Sequence, residues 1–593
     1  MIKGSAALAW ELCGKHGLEK DQRRAVALVV VKLERAWQKA LRQTPGLRSS
    51  NSDIWKKHDG SKALLPLYGV QSRVILIGGG GAGKTTIINF VLTPLLEEYY
   101  GRDGLQKEAP SNKAARGING VTVHVANNLR GNSSLLTPHL RQKPRQKAYV
   151  RSQGRQGARV YDEFSQLNSK LLHADMYMTS VARNLAWEAA EQASALQGQD
   201  LRPDPARYTD LDQSWGAMPV VVVAGDELQF PCVPAAAGLL APIIGTSDEQ
   251  KAAVKCFTSF QDVYKLRTQK RFADPVSINI LEKMRRKGGC KLTSAEWERL
   301  ESTEVKGGDL SGTEHWFEAA YEWSIVTLAT VVRSQLPASS QKTPLFVVQA
   351  EDQFLSAIDA GHVRDPLRDA AAFAHISHEV LQHPSMNETG RLPSFCMFHV
   401  GMRVRFTQTV ESGLVVVDQT GVVVGLDFHE NEPVENKEAL ELRNKAVVLL
   451  RHFPTLVYVK LDRANGDTTR LCFLDDEPCA RHQTEGVDAN CDDCREFSDV
   501  VAVEPCTNRA AWSLRIKSLD VTVKVKRVQL PFVCAGASTE HVLQGTTCDP
   551  GLLFHWKFPR IMKSELRWLG IYVALSRVRT LDSLKSIGLT DKS

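Results

Sequence analysis

The sequence predicts an α/β fold organised around a mostly parallel sheet, and two observations support that prediction. Two aliphatic runs, Arg73–Ile77 (RVILI) and Pro219–Ala224 (PVVVVA), have the length and composition of buried strands. The first run continues directly into a glycine-rich loop and a helical start (IINFVL), and short strands alternate with helical stretches along the chain. Strands that alternate with helices are typical of parallel sheets, because each crossover helix returns the chain to the same edge.

Length and composition indicate an ordinary globular protein of several domains. The chain has 593 residues, of which 43% are hydrophobic and 24% charged, and 74 basic against 67 acidic residues give a net charge of +7. At about 150 residues per domain, this length allows roughly four domains. These values exclude a disordered tail, a collagen-like rod and a disulfide scaffold, and the 12 cysteines are expected to be reduced.

No membrane partner is expected from the sequence. The apolar runs stay below the roughly 18 residues that indicate a membrane span. The N-terminal segment MIKGSAALAWELCGKH is not expected to be a signal peptide, because Glu11 interrupts its short apolar patch. We therefore expect an intracellular protein, with nuclear and mitochondrial locations both open. The sequence does not determine the oligomeric state, and a monomer is compatible with it.

The glycine-rich loop after the first predicted strand has the spacing G-x-x-x-x-G-K-T of a phosphate-binding loop. Its glycines let successive backbone N–H groups point at one anion, and the helix that follows adds its positive N-terminal dipole. In this motif Lys84 reaches the β- and γ-phosphates, and Thr85 offers its hydroxyl to Mg²⁺. The sequence therefore predicts binding of a nucleotide with Mg²⁺ by Gly78, Gly79, Gly80, Gly81, Ala82, Gly83, Lys84, Thr85 and Thr86.

Two pairs of carboxylates compete for the role of holding the metal. Asp162 and Glu163 follow a short apolar step, whereas Asp226 and Glu227 follow the much better strand PVVVVA. The strand argument alone favours Asp226, and two such elements together suggest an ATPase with separate metal and coupling elements. The alternative for each pair is an ordinary turn at the end of a strand.

Basic charge is concentrated in one part of the chain. The stretch Ala109–Tyr161 contains no Asp or Glu, although it holds ten basic residues. One interpretation is a solvated basic loop. The other is a surface that tracks a nucleic-acid backbone, because spaced Lys and Arg side chains release counterions from phosphates. The basic residues are Lys113, Arg116, Arg130, Arg141, Lys143, Arg145, Lys147, Arg151, Arg155 and Arg159.

In their order along the chain, the motifs resemble those of superfamily 1B DNA helicases of the PIF type (petite integration frequency), which are related to the RecD-type helicases. The resemblance covers nearly the whole chain, and its most specific parts are the phosphate-binding loop and motifs III and VI. The matching segments are Asp21–Ala25 (DQRRA, Q motif), Ala109–Ala115 with Gly120–His124 (motif Ia), Asp162–Leu167 (DEFSQL, motif II), Gly225–Pro234 (GDELQFPCVP, motif III), Leu266–Arg285 (motif IV), Val528–Phe532 with His541–Thr547 (motif V) and Tyr572–Arg579 (YVALSRVR, motif VI).

The resemblance implies roles for the residues around ATP. Gln22 would read the adenine. Asp162 would hold Mg²⁺ while Glu163 orients the attacking water, which decides between the two carboxylate pairs. The other residues with an implied catalytic role are Lys84, Gln229 as the sensor of the γ-phosphate, Arg271 as a cation that faces the phosphate, and Arg577 as the arginine finger.

Contacts with DNA are implied at motifs Ia and V. Motif Ia departs from the usual Thr-Gly by having Ser111-Asn112, and motif V has Val542-Leu543 where Lys-Ser is usual. The residues implied to contact DNA are Lys113, Arg116, Thr122, His124, His541, Gln544 and Thr546.

The resemblance also implies two RecA-like domains with a small SH3-like β-barrel inserted in the second. We place the first domain at 1–250, the second at 251–402 and 528–593, and the insertion at 403–527, where strand patterns and turn signals dominate. Motifs IV, V and VI would then all belong to the second domain. The segment 246–255 (TSDEQKAAVK) is interpreted as the linker between the two domains.

One cluster falls outside the family pattern. Cys479 and His482 precede Cys491 and Cys494 with ligand-like spacing, and aspartates surround both pairs. A Zn²⁺-binding hairpin is one interpretation, and an acidic loop with incidental thiols is the other.

The resulting hypothesis is an ATP-dependent helicase and translocase that acts on single-stranded and duplex DNA. Its 5′-to-3′ polarity is implied by the resemblance alone. A nucleic-acid-binding protein with decayed hydrolysis and a P-loop NTPase that remodels RNA are the alternatives. Helicases of this kind act in repair, recombination and telomere maintenance, and the sequence does not distinguish among these pathways.

Overall fold

The computed structural model shows a chain that forms two compact units. Unit 1 spans Met1–Cys290, and unit 2 comprises Lys291–Arg463 and Asp467–Ser593. The described residues are 5–43, 72–127, 129, 144–193, 204–210, 213–232, 237–241, 247–272, 274–286, 291–305, 310–359, 367, 370–383, 385–386, 388–410, 415–442, 447–462, 499–508 and 510–589.

Unit 1 is an α/β unit. Its strands are β1 (Ser72–Gly78), β2 (Leu105–Ala109), β3 (Val121–Thr122), β4 (Ala158–Tyr161), β5 (Val220–Gly225) and β6 (Asp262–Leu266). Its described helices are α1 (Ser5–Lys15), α2 (Lys20–Gln43), α3 (Lys84–Ile87), α4 (Thr93–Tyr100), α5 (Asn112–Gly117), α6 (Val123–Ala126), α7 (Pro144–Arg155), α8 (Ser169–Ala193), α9 (Ser214–Ala217), α10 (Asp248–Thr258) and α11 (Pro275–Met284). A π-helical turn, Ile88–Leu92, joins α3 to α4, and 3₁₀ turns occupy Arg102–Gly104, Phe164–Gln166 and Pro205–Arg207.

The six strands of unit 1 form one sheet in the order β3-β2-β4-β5-β1-β6, and every neighbouring pair is parallel. This confirms the parallel α/β prediction. Because parallel strands end at the same edge, the segments that follow β1, β2, β4, β5 and β6 meet there.

Both faces of this sheet are covered, which explains its uninterrupted apolar strands. Along β1, Val74 and Leu76 join the core that includes α1 and α2, whereas Ile75 points into the core that includes α8 and α10. Strand β5 alternates in the same way, because successive side chains of a strand point to opposite faces.

The predicted boundary at residue 250 is wrong, and so is the interpretation of 246–255 as a linker. Ser247 caps α10 in a reciprocal capping box with Gln250, and Ala253 and Phe257 of this helix are buried in the core of unit 1. Strand β6 then pairs with β1. Unit 1 therefore continues to Cys290.

Unit 2 combines parallel and antiparallel sheets. Its strands are β7 (Phe317–Ala320), β8 (Leu345–Gln349), β9 (Glu351–Asp359), β10 (Phe395–Phe398), β11 (Arg403–Phe406), β12 (Thr420–Asp427), β13 (Val447–Leu449), β14 (Leu456–Leu461), β15 (Val500–Val503), β16 (Cys506–Thr507), β17 (Trp512–Ile516), β18 (Val521–Gln529), β19 (Phe532–Cys534), β20 (Ala537–Thr539), β21 (Leu552–His555) and β22 (Leu584–Ile587). Its described helices are α12 (Ser294–Glu301), α13 (Trp323–Gln341), α14 (Ala370–Gln382), α15 (Val434–Leu442), α16 (Glu540–Leu543) and α17 (Ser564–Leu575), with a 3₁₀ turn at Leu581–Ser583.

The parallel sheet of unit 2 has the order β20-β7-β21-β22. Helix α13 packs against β7 and β20, and α16 connects β20 to the rest of motif V. Among the described residues, this is the second sheet whose strands are all parallel, and motifs V and VI both lie in its unit.

In the described part of the β-rich region predicted at 403–527, most strands belong to two antiparallel sheets, whereas β13 pairs in parallel with β8, which also pairs with β10. One sheet has the order β15-β14-β12-β11-β19, and another has β18 between β17 and β9 with β16 beside β18. Within the part of the chain that the structure describes, the five-stranded sheet does not close, since β15 and β19 remain its edges. Strands β9 and β19 lie outside the predicted limits of the insertion, yet they pair with β18 and β11 inside it. The antiparallel sheets therefore extend beyond those limits.

Across the described ranges, no helix is both long and apolar enough to cross a membrane.

Candidate nucleotide site and nucleic-acid interface

The phosphate-binding loop lies at the carboxyl end of β1, as its strand–loop–helix pattern requires. The buried Lys84 donates hydrogen bonds from Nζ to the carbonyls of Gly78 (2.7 Å) and Gly79 (3.1 Å). Gly81 and Gly83 have φ values of 87° and 83°, which are backbone conformations that favour glycine. The loop is therefore a curled cradle whose lysine occupies backbone acceptors that phosphate oxygens could replace.

Gln22 of the Q motif supports this loop from beneath. Its side-chain Nε2 donates to the carbonyl of Ala82 at 2.9 Å, and its Oε1 accepts from the Glu19 amide at 2.9 Å. A Cβ atom on Gly83 would lie 2.3 Å from Gln22 Nε2. The structure thus places Gln22 against the loop backbone.

The segment after β6 also contacts the loop, which corrects the placement of motif IV. Gln269 Nε2 donates to the carbonyl of Gly80 at 2.7 Å, and the Lys270 amide donates to the carbonyl of Gly81 at 2.9 Å. A Cβ atom on Gly81 would lie 2.5 Å from Cβ of Arg271. Arg271 therefore belongs to unit 1, because the parallel pairing of β6 with β1 carries this segment to the loop.

Asp21 holds the same segment at its other end, and sequence reasoning did not assign it a role. Its carboxylate accepts from the amides of Arg267 (2.6 Å) and Thr268 (3.1 Å) and from the hydroxyl of Tyr264 (2.9 Å). The neighbouring Gln22 binds the phosphate-binding loop. Adjacent residues of α2 thus contact the segment after β6 and the phosphate-binding loop. The dipeptide Asp21-Gln22 is the sequence signal that could have indicated these contacts.

Asp162 lies at the end of β4 and faces the loop. The Thr85 hydroxyl donates to its buried carboxylate, and the Glu163 amide donates to Oδ1 at 2.9 Å. Burial raises the pKa of Asp162, and the opposing effects of Lys84 and these hydrogen bonds do not cancel it. A hard divalent cation suits this oxygen pair, because its charge would favour the ionised carboxylate.

Glu163 occupies a strained turn next to the end of β5. Its φ and ψ are 55° and 48°, the left-handed region that non-glycine residues seldom adopt. A Cβ atom on Gly225 would lie 2.8 Å from the backbone nitrogen of Phe164, so β5 approaches this turn very closely. The two carboxylate pairs of the sequence therefore lie on adjacent strands at one edge of the sheet.

Asp226 and Glu227 are neutralised by cations of their own unit. Arg285 donates to Asp226 Oδ1 at 2.8 Å and to Glu227 Oε1 at 3.0 Å, and Lys265 lies 2.8 Å from Glu227. Burial alone would raise the pKa of Asp226, but Arg285, Lys84 and hydrogen bonds together hold it below its usual value. Of the two aspartates, Asp162, whose carboxylate is bound by Thr85, therefore remains the candidate metal ligand.

Gln229 lies at the same edge. Its Nε2 is 3.5 Å from Asp226 Oδ2, and its Oε1 is buried without a hydrogen-bond partner among the described residues. A buried amide oxygen of this kind suits a bound water or ligand.

Part of the basic stretch is core rather than surface. Arg159 is fully buried, forms an ion pair with Asp175, and lies 3.4 Å from Glu108 Oε1. Arg155 pairs with Asp103 at the surface. The interpretation of the entire stretch as a phosphate track therefore fails at Arg159, because its charge pairs with buried carboxylates inside the unit.

The predicted DNA contacts of motif Ia follow β2 and β3 at the carboxyl edge of the sheet. Lys113 and Arg116 are half-buried residues of α5, and the Thr122 hydroxyl accepts from the Val125 amide as the cap of α6. Burial lowers the pKa of His124, so its imidazole is neutral at pH 7 and adds no counterion-releasing charge.

The residues of motifs V and VI lie in unit 2. Gln544 is buried, and its Nε2 has no hydrogen-bond partner within the described part of the chain. Burial lowers the pKa of His541, and the Thr546 amide donates to the carbonyl of Leu543 at 2.9 Å. Arg577 is buried as well.

The Arg577 guanidinium folds back onto the end of its own helix. Its Nε donates to the carbonyl of Val573 at 3.0 Å, and its Nη2 donates to Ser576 Oγ at 2.6 Å. An arginine finger must extend, so this side chain would have to exchange both acceptors for phosphate oxygens.

Glu540 precedes the predicted DNA contacts of motif V and is a buried carboxyl whose oxygens have no hydrogen-bond partner in the described residues. Burial raises its pKa to about 7. Because the folded-state pKa lies above the unfolded one, stability is lost as pH rises from about 4.5 to about 7. Glu540→Gln should therefore raise the free energy of unfolding at pH 8 by about 2–3 kcal/mol, with little effect at pH 4.5. Urea denaturation at both pH values measures this.

The exposed Glu438→Gln of α15 is the matched control and should leave both values unchanged. Equal effects of Glu540→Gln at pH 4.5 and pH 8 would contradict the assigned titration.

The proposed zinc ligands Cys479, His482, Cys491 and Cys494 lie outside the described residues. Within the described ranges, no group of three or more His, Cys, Asp or Glu side chains is arranged to hold a metal ion.

Fold and motif together define an α/β protein with a phosphate-binding loop and two parallel sheets. No protein-family model matches the sequence, and a search of curated proteins finds no match. Among solved structures, the chain is similar to the Pif1 helicase from Candida albicans, with 18% identity, a TM-score of 0.48, and coverage of 88% of this chain and 91% of that one.

Two Bacteroides structures are similar to a comparable degree. The Pif1 helicase in complex with ADP-AlF3 and ssDNA has 16% identity and a TM-score of 0.47, and the Pif1 bound to ssDNA has 17% and 0.46. In each case 87% of this chain and 88% of the other are covered. The solved structures similar to this chain thus include PIF-type helicases, the family that its motifs resemble.

Proposed function

We propose that this chain is an ATP-dependent DNA helicase and translocase with 5′-to-3′ polarity. The observation that carries the proposal is the convergence, at one edge of the unit 1 sheet, of a phosphate cradle, a metal-binding pair, a carboxylate in a strained turn and a buried amide. These groups are Lys84, Thr85 with Asp162, Glu163, and Gln229.

ATP and Mg²⁺ fit the residues present. Thr85 and Asp162 would hold the metal, which when bound would neutralise charge on the β- and γ-phosphates. Lys84 would exchange the carbonyls of Gly78 and Gly79 for phosphate oxygens. Gln22, whose side chain contacts the loop at the Ala82 carbonyl, would read the adenine.

For hydrolysis, Glu163 would accept a hydrogen bond from the attacking water and orient it toward the γ-phosphate. Gln229 would contact the same region through its side-chain amide oxygen. Arg271 and Arg577 are proposed to stabilise the charge that develops on the transferred phosphoryl group.

Unit 2 would act as a second RecA-like domain carrying a β-rich insertion related to an SH3-like barrel. Motifs Ia and V would each contact single-stranded DNA, without reading bases. Salt should weaken binding of a single strand, with a slope near −0.7 per phosphate contacted.

The direct test measures ATP turnover with single-stranded DNA, with RNA and with neither, followed by unwinding of duplexes with 5′ or 3′ tails. DNA-stimulated turnover with unwinding from a 5′ tail is expected. Tight DNA binding without turnover would instead indicate decayed hydrolysis, and stimulation by RNA alone would indicate an RNA-remodelling NTPase.

Lys84→Ala should lower DNA-stimulated ATP turnover by roughly 10²- to 10³-fold, because it removes the cation that faces the developing charge. Steady-state phosphate release measures the effect. Lys251→Ala, which removes an exposed lysine paired with Asp248 on α10, is the matched control and should retain full turnover. Unchanged turnover in Lys84→Ala would refute the assigned site.

A further inference from the structure

Arg285 is a cation that the proposed reaction leaves without a role. It forms the C-cap of α11, and its side chain, 14% exposed, reaches the turn that follows β5. There its two terminal nitrogens bind two consecutive carboxylates, Asp226 at 2.8 Å and Glu227 at 3.0 Å. The planar guanidinium fork suits such a two-point contact, which a lysine cannot reproduce.

Asp226 transmits this contact along the turn. Its Oδ1 accepts from both Arg285 and the Leu228 amide, the latter at 3.1 Å, and its Oδ2 faces Gln229 Nε2 at 3.5 Å. Because Asp226 is fully buried, an unpaired carboxylate there would be strongly disfavoured, and its orientation would no longer be defined.

The orientation of Gln229 follows from that of the carboxylate. Since Asp226 accepts from Nε2, the amide presents Oε1 in the opposite sense, and that oxygen is the buried one without a partner among the described residues. An amide can present either its oxygen or its nitrogen after a half-turn, so a fixed neighbour is needed to choose between them. Asp226 makes that choice.

We infer that Arg285 is a positioning residue for ATP hydrolysis, acting through Asp226 to fix the side-chain amide of Gln229 at the nucleotide edge of unit 1. The inference rests on the proposed ATPase function. It also explains why the carboxylates after β5, although they follow the better strand, do not hold the metal: they are already committed to a guanidinium.

The test compares Arg285→Gln with wild type in DNA-stimulated turnover and in binding of a fluorescent ATP analogue. We expect kcat to fall roughly 10- to 100-fold, as misplacement of a catalytic group does. KM and analogue affinity should stay within about twofold, because the phosphate cradle is not altered. Arg285→Lys should recover part of kcat. The adjacent exposed Arg286→Gln, with the same change of charge, should match wild type.

A double-mutant cycle separates positioning from a general structural role. If Arg285 acts through Asp226, then Arg285→Gln and Asp226→Asn should each lower kcat, and the double variant should be little worse than either. Thermal melting of each variant establishes that it is folded. Wild-type kcat in Arg285→Gln, additive effects in the cycle, or equal losses of kcat and nucleotide affinity would each overturn the inference.

The outcome is distinguishable from failure of the proposed function. If wild type itself hydrolyses no ATP with DNA, the ATPase proposal fails before any variant is compared. If wild type hydrolyses ATP and Arg285→Gln does so equally well, only the role of Arg285 fails.

Discussion

Replacing Glu163 by Gln is expected to lower DNA-stimulated ATP turnover by about 10²- to 10⁴-fold, the usual contribution of a general base. The substitution keeps the size of the side chain and removes the charge that would orient and deprotonate the attacking water. Lys84, Thr85 and Asp162 are untouched, so ATP should still bind. Phosphate release and binding of a fluorescent ATP analogue, measured on the same preparation, separate the two effects.

The left-handed backbone conformation of Glu163 also supports a role in hydrolysis. A non-glycine residue in the left-handed region costs on the order of 1 kcal/mol, and such strain is concentrated at functional sites. Here the strained turn lies where β5 makes its close approach at Gly225. Glu249→Gln, on the exposed first turn of α10, is the matched control. Normal turnover in Glu163→Gln would contradict the assigned role.

The largest expected effect on stability comes from Arg159→Met. The change preserves bulk but leaves the fully buried carboxyl groups of Glu108 and Asp175 without their guanidinium. Removing one member of a buried charge cluster costs about 3–5 kcal/mol of unfolding free energy. Hydrogen bonds from Arg159 Nη2 to Gln153 (2.6 Å) and Gln156 (2.8 Å) would be lost as well. Urea denaturation followed by circular dichroism measures the change.

Arg155→Met is the control, since its pairing with Asp103 is partly exposed and should contribute less than about 1 kcal/mol. Adding Glu108→Gln and Asp175→Asn to Arg159→Met should restore part of the loss, because the stranded charges are then removed. An Arg159→Met protein as stable as Arg155→Met would show that the buried cluster is not important for stability.

The contrast between Arg155 and Arg159 shows where reasoning from charge alone fails. Both arginines belong to one acid-free stretch, so the sequence presents them as equivalent. The structure separates them, because Arg159 lies in β4 at the centre of the sheet while Arg155 ends α7 near the surface. The acidic partners of Arg159 come from β2 and α8, which flank the acid-free stretch, so its composition does not reveal them.

Motif IV gives a second example of the same limit. Its residues were recognised in order, yet their unit was assigned incorrectly, because linear order does not reveal which strands pair. Gln269 and Gly80 are 189 positions apart and are joined by the register of β6 on β1. The same pairing moved the end of unit 1 beyond the boundary that had been predicted.

By itself, the sequence determined what is local: a buried strand, a loop of glycines and a helix start are contiguous, and their spacing alone predicts the phosphate cradle at Gly78–Thr86. The α/β class follows for the same reason, since alternating strand and helix patterns are short-range signals. The strand pattern favours Asp226 and the resemblance favours Asp162 as the metal ligand, and only the tertiary structure shows how the two carboxylates differ physically. They differ because Thr85 contacts one and Arg285 neutralises the other, and both partners are brought there by chain folding.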